Sequence, residues 1–340
     1  MKNKVVIIAE AGVNHNGSFN NALKLVDAAV FAGADFIKFQ TFRTELNISR
    51  TASRAAYQIN NTKSDESQFD MVKKLELSFE QFLEIKKYCD KKNIGFVSTG
   101  FDIPSLDFLE TLNPTFYKIP SGEITNKPYL QHIAKIKKAI VLSTGMADMQ
   151  EIKVALNILI EAGLDKSKLT VLHCNTEYPT PMSDVNLKAM LHIKEELDVG
   201  IGYSDHTLGI EVPIAAVALG ATVIEKHFTL DRNLPGPDHK ASLEPGELKQ
   251  MVQSIRNIEI AIGGSGRKEP SESEIPNKAI ARKSIHLLKS LKAGHNLQES
   301  DLIMRRPGDG ISPMEIDQVV GKKLKCDLQE DVKLSQDHLE

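Results

Sequence analysis

The stretch 199–230, VGIGYSDHTLGIEVPIAAVALGATVIEKHFTL, decides the fold. Its two ends, VGIGYSDHT (199–207) and TVIEKHFTL (222–230), begin as short β-branched or apolar runs and then carry polar groups, SDHT in the first and EKH in the second. A longer stretch of helical character separates them, giving strand, helix, strand, the repeating unit of a parallel sheet. The same alternation runs back through KVVIIAEAG (4–12), FIKFQTF (36–42), GFVSTGF (95–101), FYKIPSGE (116–123), AIVLSTGM (139–146) and LTVLHCN (169–175), which makes eight strands. Among the intervening helices, 20–33 places Leu23, Val26, Ala29 and Val30 on one face and stops at Gly33; 148–163 stops at Gly163 in the same way. Eight strand–helix units in roughly 260 residues predict an α/β fold, a (β/α)8 TIM barrel whose closed sheet leaves no edge. A doubly wound open sheet is the second choice.

Beyond Ile262 the sequence changes character. GGSGRKEPSESEIPNKAIARKS is rich in Gly, Ser, Pro and charge and reads as a linker. The expected organisation is a catalytic barrel over 1–265, a linker over 266–280 and a small β-rich domain over 281–340, punctuated by Gly294, Gly308, Gly310 and Gly321.

Composition narrows the function classes. Of 340 residues, 41% are hydrophobic and 26% charged, an ordinary globular balance. A formal charge of −3 gives no global field for a nucleic acid or an anionic membrane, and basic and acidic residues balance from Arg267 onward. No window approaches the ~18 apolar residues of a membrane span, and MKNKVVIIAEAG meets Glu10 too soon for a signal peptide, so a cytoplasmic protein is expected. Cys89, Cys174 and Cys326 form neither a CxxC pair nor a disulfide framework.

In a TIM barrel, reacting groups project from the C-terminal ends of strands. Here those ends read Glu10, Lys38 to Gln40, Ser98-Thr99, Lys118 to Glu123, Ser143-Thr144, His173 to Asn175, Ser204 to His206 and Glu225 to His227. So many polar groups closing a core would need partners, whereas convergence on a ligand explains them. Lys38 and Lys118, beside SGE and STG, point to an anion such as phosphate or carboxylate. A lone lysine in a strand is more often simply solvated; two at matching positions favour the anion.

His206 and His227 close consecutive strands, and with Asp205 and Glu225 nearby they suggest Mn2+, Mg2+ or Fe2+. Either His alone reads more readily as a hydrogen-bonded core residue. Asp238, in the stiff segment LPGPDH (234–239), is a candidate for binding substrate hydroxyls. No GxGxxG opens a helix, and neither GxxxxGK[ST] nor GxSxG occurs, which disfavours nucleotide cofactors and a serine nucleophile elbow.

Taken in order, IAEAGVNHNGS, GADFIKFQTF, YKIPSGEITN, VLSTGMA, LHCNTEYPTP, GYSDHT, EKHFTLDRNLPGPDH and RRPGDGISP resemble the motifs of the bacterial sialic acid synthases, which make N-acetylneuraminate and related nonulosonates. The resemblance spans essentially the whole chain. It implies a TIM barrel followed by a small antifreeze-like (SAF-type) domain, in homodimers where each small domain covers the partner's barrel mouth. It also implies that phosphoenolpyruvate condenses with the open-chain aldehyde of an N-acetylated hexosamine, giving a nine-carbon 2-keto acid and phosphate through C–O cleavage.

Residue by residue, the resemblance places a divalent metal, foremost Mn2+, on His206 and His227. It places the phosphate and carboxylate of phosphoenolpyruvate on Lys38, Thr99, Lys118, Ser121, Ser143, Thr176 and Ser204. Glu10, Gln40, Asn61, Glu123, Tyr178 and Asp238 would surround the sugar, and Arg306 would reach its acetamido group from the partner subunit. Elementary chemistry agrees: a metal polarises the aldehyde as the enolpyruvate C3 attacks, the lysines neutralise the anion, and Glu10 or Glu123 handles protons. N-acetylmannosamine is the first expectation for the sugar. N,N'-diacetyllegionaminate synthase is the main alternative, its substrate differing by a 6-deoxy carbon and a 4-acetamido group, and pseudaminate synthase is a third. A non-catalytic sugar-binding barrel conflicts with the retained His206, His227, Lys38 and Lys118, and nucleic-acid binding through the C-terminal RR and KKLK segments conflicts with the charge balance.

Overall fold

The computed structural model describes residues 4–56, 58, 59 and 66–340. The chain divides into two compact units, Met1–Gly263 and Gly264–Glu340.

The first unit is a (β/α)8 barrel. Its strands are β1 (Val6–Gly12), β2 (Phe36–Thr41), β3 (Gly95–Gly100), β4 (Phe116–Ile119), β5 (Ala139–Ser143), β6 (Leu169–Cys174), β7 (Gly200–Asp205) and β8 (Val223–His227). They form one parallel sheet in the order β3-β2-β1-β8-β7-β6-β5-β4, and β3 packs beside β4 to bring the two ends together. Helices on the outside return the chain between strands, from Phe19–Ala32 after β1 to Pro245–Ala261 after β8. The first of these is set by its ends: the Ser18 hydroxyl accepts from the Asn21 N–H, and Gly33 takes a left-handed φ of 79°.

Strand side chains alternate between two faces. Ile8, Val97, Phe116, Val141, Leu172 and Val223 point inward and pack together as an apolar plug. Their neighbours Ile7, Phe96, Tyr117, Leu142, Val171 and Ile224 point outward into the core shared with the helices. The inward residue two positions after a plug residue therefore stands at the barrel mouth.

Most strands end earlier than the sequence reading placed them. The run 116–123 is strand only to Ile119, because Pro120 lacks an N–H and Ser121–Glu123 coils into a 3-10 turn. Similarly, the segment 266–280 is not free of structure. Its second half enters a helix, Ile275–Ala281, with Pro276 in the first turn, where a missing N–H costs nothing.

The second unit has its own apolar core, including Ile285, Leu287, Leu302, Leu324 and Leu334. Antiparallel strands β9 (Ser284–Leu287) and β10 (Leu302–Arg305) pair with Ile303 opposite His286, and isolated bridges tie in the remaining turns. No helix among the described residues is long and apolar enough to cross a membrane. The cysteines are free, Cys89 and Cys174 buried and Cys326 exposed.

Candidate active site

Two steps up from the apolar plug, the inward positions change from hydrocarbon to charge. Ile8 leads to Glu10, Phe36 to Lys38, Phe116 to Lys118 and Val223 to Glu225, and all four charged side chains are buried. A cavity of about 390 Å³ opens above them.

Glu225 lies between the lysines. Lys118 Nζ is 3.6 Å from its Oε1 and Lys38 Nζ is 3.8 Å from its Oε2. Lys38 also meets Glu10 Oε2 at 2.8 Å and donates to Thr99 Oγ1 at 2.9 Å. Lys118 donates to Ser143 Oγ at 2.7 Å, and Ser204 Oγ donates to Glu225 Oε1 at 3.0 Å. Burial opposes charge on each group, so their mutual attraction decides the outcome. For Lys38 the desolvation is outweighed by Glu10 and Glu225, which raise its pKa. For Lys118 desolvation prevails over Glu225 and lowers it. Burial would raise Glu225, but Lys118 and Lys38 hold it below the usual carboxylate range. Glu10 goes the other way: burial, only partly opposed by Lys38 and reinforced by Glu225, pushes it up to about 7. With Glu225 balancing the lysines, Glu10 is the carboxyl able to exchange a proton near neutrality.

His206 and His227 stand side by side at the ends of β7 and β8, ring centroids 5.3 Å apart. Tyr178 stacks against His206 at 4.0 Å and meets His227 edge-on at 5.5 Å. Burial lowers His206 to about 4, and burial with the neighbouring His206 holds His227 well below its ordinary value. Both imidazoles are therefore neutral, the form that ligates metal. The Asn175 carbonyl accepts from His206 Nδ1, which leaves Nε2 with its lone pair, and His227 Nδ1 is buried without a hydrogen-bond partner. This donor pair fits a divalent cation with open positions. Among the described residues no group of three His, Cys, Asp or Glu converges, so further ligands would be substrate oxygens or water.

The remaining sequence-derived residues fall into place unevenly. Gln40 donates to Glu10 Oε1 at 3.4 Å. A Cβ on Gly12 would lie 3.3 Å from atoms of Gln40, Glu10 and His227, and its φ is +51°, so these three side chains crowd around a position that favours glycine. Ser121, Thr176 and Tyr178 line the same cavity. Asp238 lines an adjoining cavity that shares Gln40, Tyr178 and His227, and burial pushes its carboxyl up to about 6. Glu123 does not line the cavity: the 3-10 turn carries it to Asn126, whose amide donates to it at 2.6 Å. Asn61 lies outside the described residues, and Arg306 is an exposed residue of the second unit.

One expectation is corrected. Asp205 does not join the histidines, because alternation turns it outward, where it pairs with Lys226 at 2.6 Å and accepts from the Thr207 N–H and hydroxyl. Glu225, first read as a neighbour of the metal, instead faces the lysines. Cys174 also lines the cavity, 3.3 Å from Ser121 Oγ. Counting in twos from Leu172 and Val223 was the available signal for both.

Comparison with known proteins gives a consistent picture. A model described as the NeuB family matches residues 25–267, and one described as the SAF domain matches residues 282–340. N,N'-diacetyllegionaminic acid synthase of Campylobacter jejuni is 52% identical over 96% of this chain and 98% of the relative. The protein of the same name from Legionella pneumophila is 48% identical over 98% of this chain and 94% of the relative. The crystal structure of N-acetylneuraminic acid (sialic acid) synthetase from Leptospira borgpetersenii superposes with a TM-score of 0.70 at 38% identity, covering 81% of this chain and 90% of that one. With its barrel matched across most of its length and a SAF domain after it, the chain belongs to the NeuB family.

Proposed function

We propose that this enzyme condenses phosphoenolpyruvate with the open-chain aldehyde of 2,4-diacetamido-2,4,6-trideoxymannose, forming N,N'-diacetyllegionaminic acid and phosphate. The observation that carries the reaction is the buried Lys38–Glu225–Lys118 arrangement beside two neutral histidines in one cavity. The choice of sugar rests on the two legionaminic acid synthases, which resemble this chain more closely in sequence than the sialic acid synthetase does. That choice replaces N-acetylmannosamine, the first expectation from sequence, which remains the second substrate to test.

In this reading Lys38 and Lys118 bind the phosphate and carboxylate of phosphoenolpyruvate, with Thr99, Ser121, Ser143, Thr176 and Ser204 as neutral donors. Their placement aims the enolpyruvate C3 at the aldehyde carbon. A divalent cation, Mn2+ foremost, would be held by His206 and His227 and would polarise the aldehyde oxygen. Glu10, with a pKa near neutrality, exchanges a proton with the new hydroxyl or with the water that adds at C2 before the C–O bond to phosphate breaks. Gln40 orients Glu10, while Tyr178 and Asp238 contact the sugar chain. We further propose a homodimer in which Arg306 of one copy serves the sugar bound by the other, supported by the RRPGDGISP motif.

The test is phosphate release from phosphoenolpyruvate with Mn2+, run in parallel with 2,4-diacetamido-2,4,6-trideoxymannose and N-acetylmannosamine. Faster release with the former is expected. Faster release with the latter would reassign the sugar, and release with neither would overturn the condensation.

A further inference from the structure

Strands β7 and β8 run in register up to the pair Asp205 and Lys226, and their backbone pairing ends there. His206 and His227 are the next residue on each chain. Past the ladder the two backbones take different partners: the His206 carbonyl accepts from the Thr180 N–H and the His227 carbonyl from the Leu243 N–H, both at 2.9 Å. Sheet hydrogen bonds between β7 and β8 therefore do not set the distance between the imidazoles.

Side chains on the outward face carry the link further. Lys226 Nζ donates to Asp205 Oδ2 at 2.6 Å and also to the Thr207 carbonyl. Thr207 is tied in turn to Asp205, its N–H donating to Oδ1 and its hydroxyl to Oδ2, each at 3.0 Å. The ammonium beside His227 in the chain thus grips the residues on both sides of His206. Asp205, Thr207 and Lys226 are all buried, so water does not compete for these bonds. The three do not line the cavity, and they reach a ligand there only through the histidines.

An imidazole holds a divalent ion at roughly 2.1 Å with a tolerance of about 0.2 Å, so two rings sharing one ion must keep a fixed separation. We infer that Asp205 and Lys226 are positioning residues, a buried ion pair that braces His206 and His227 at the spacing a shared divalent cation needs. The inference rests on the metal role proposed above and adds the groups that hold the two donors in place. A buried ion pair adds little net stability over a well-packed apolar pair. Its directed bonds across the end of the ladder supply instead a geometry that apolar packing does not.

The experiment measures Mn2+ binding to metal-free, full-length protein by titration calorimetry. The double variant Asp205→Asn, Lys226→Met removes both charges together, so the net charge beside the histidines is kept and no buried charge is left alone. Its Kd for Mn2+ is expected to rise about 10- to 100-fold. Its Kd for phosphoenolpyruvate, taken on the same preparation, should stay within about threefold, because Lys38, Lys118 and Glu225 are untouched. Thr207→Val leaves the ion pair intact and removes one hydroxyl bond; it should weaken Mn2+ at least about threefold, and it decides the matter if the double variant fails to fold. Unchanged Mn2+ affinity in the folded variants, or Mn2+ and phosphoenolpyruvate affinities falling together, would overturn the brace while leaving the metal role intact. Wild-type protein that binds no Mn2+, or binds it no better than His206→Ala protein, would remove the metal role and the brace with it.

Discussion

Lys118 and Glu225 face each other inside the barrel with 3.6 Å between ammonium and carboxylate, and both are almost completely shielded from water. With Lys38 on the other carboxylate oxygen, Glu225 acts as an internal counter-ion for the two lysines. Removing one member of such a buried set typically costs about 3–5 kcal/mol, because the remaining charge loses its compensation. Glu225→Gln is therefore expected to lower the urea midpoint, and phosphoenolpyruvate should restore more stability to the variant than it adds to the wild type. Equal midpoints without ligand would contradict the counter-ion role.

Lys38→Ala and Lys118→Ala each remove a charge-assisted contact worth about 1.5–3 kcal/mol. The expected result is a KM for phosphoenolpyruvate raised about ten- to a hundredfold with a much smaller change for the sugar. An unchanged value in both variants would refute the anion site.

His206→Ala and His227→Ala should each abolish turnover and weaken Mn2+ binding measured by titration calorimetry. Chelator should inhibit the wild type, with recovery on adding divalent cation. Full activity of metal-free enzyme would eliminate the metal role.

Asp238 gives a pH signature. Below pH 3.8 its carboxyl is protonated in both folded and unfolded chains; between 3.8 and about 6 the unfolded chain releases the proton while the folded chain keeps it. This group's contribution to stability therefore falls as pH rises through that window, by at most about 3 kcal/mol. Asp238→Asn should be more stable relative to wild type at pH 7 than at pH 4 in urea titrations. A difference independent of pH would show that the carboxyl titrates normally.

Arg306→Ala should raise the KM for the sugar. Mixed with His206→Ala protein after subunit exchange, it should recover activity, because one pairing joins an intact histidine pair to an intact Arg306. Exchange proven by mass spectrometry without recovery, with both single variants inactive, would assign Arg306 to its own barrel or to none.

The barrel was legible because eight apolar runs alternate with helices, a pattern that needs no tertiary information. Lys38, Lys118, His206 and His227 were legible as polar residues where a buried strand should stay apolar. What sequence position obscured was direction. Asp205 and Glu225 both looked close to the histidines, yet one faces the helices and the other the lysines, since each strand step reverses the side chain. Glu123 looked like part of a strand end until Pro120 turned the chain away. The small cluster of Val13, Phe42, Leu75 and Phe101 was hidden for another reason: these are scattered hydrophobics in four segments, and only folding brings them together.

The most direct test of the central claim is the product itself. Purified enzyme incubated with phosphoenolpyruvate, Mn2+ and 2,4-diacetamido-2,4,6-trideoxymannose should yield a nine-carbon 2-keto acid carrying both acetamido groups, identified by mass spectrometry and NMR as N,N'-diacetyllegionaminic acid, with one phosphate released per molecule formed. Unreacted sugar, or phosphate released without any carbon–carbon bond formed, would contradict it.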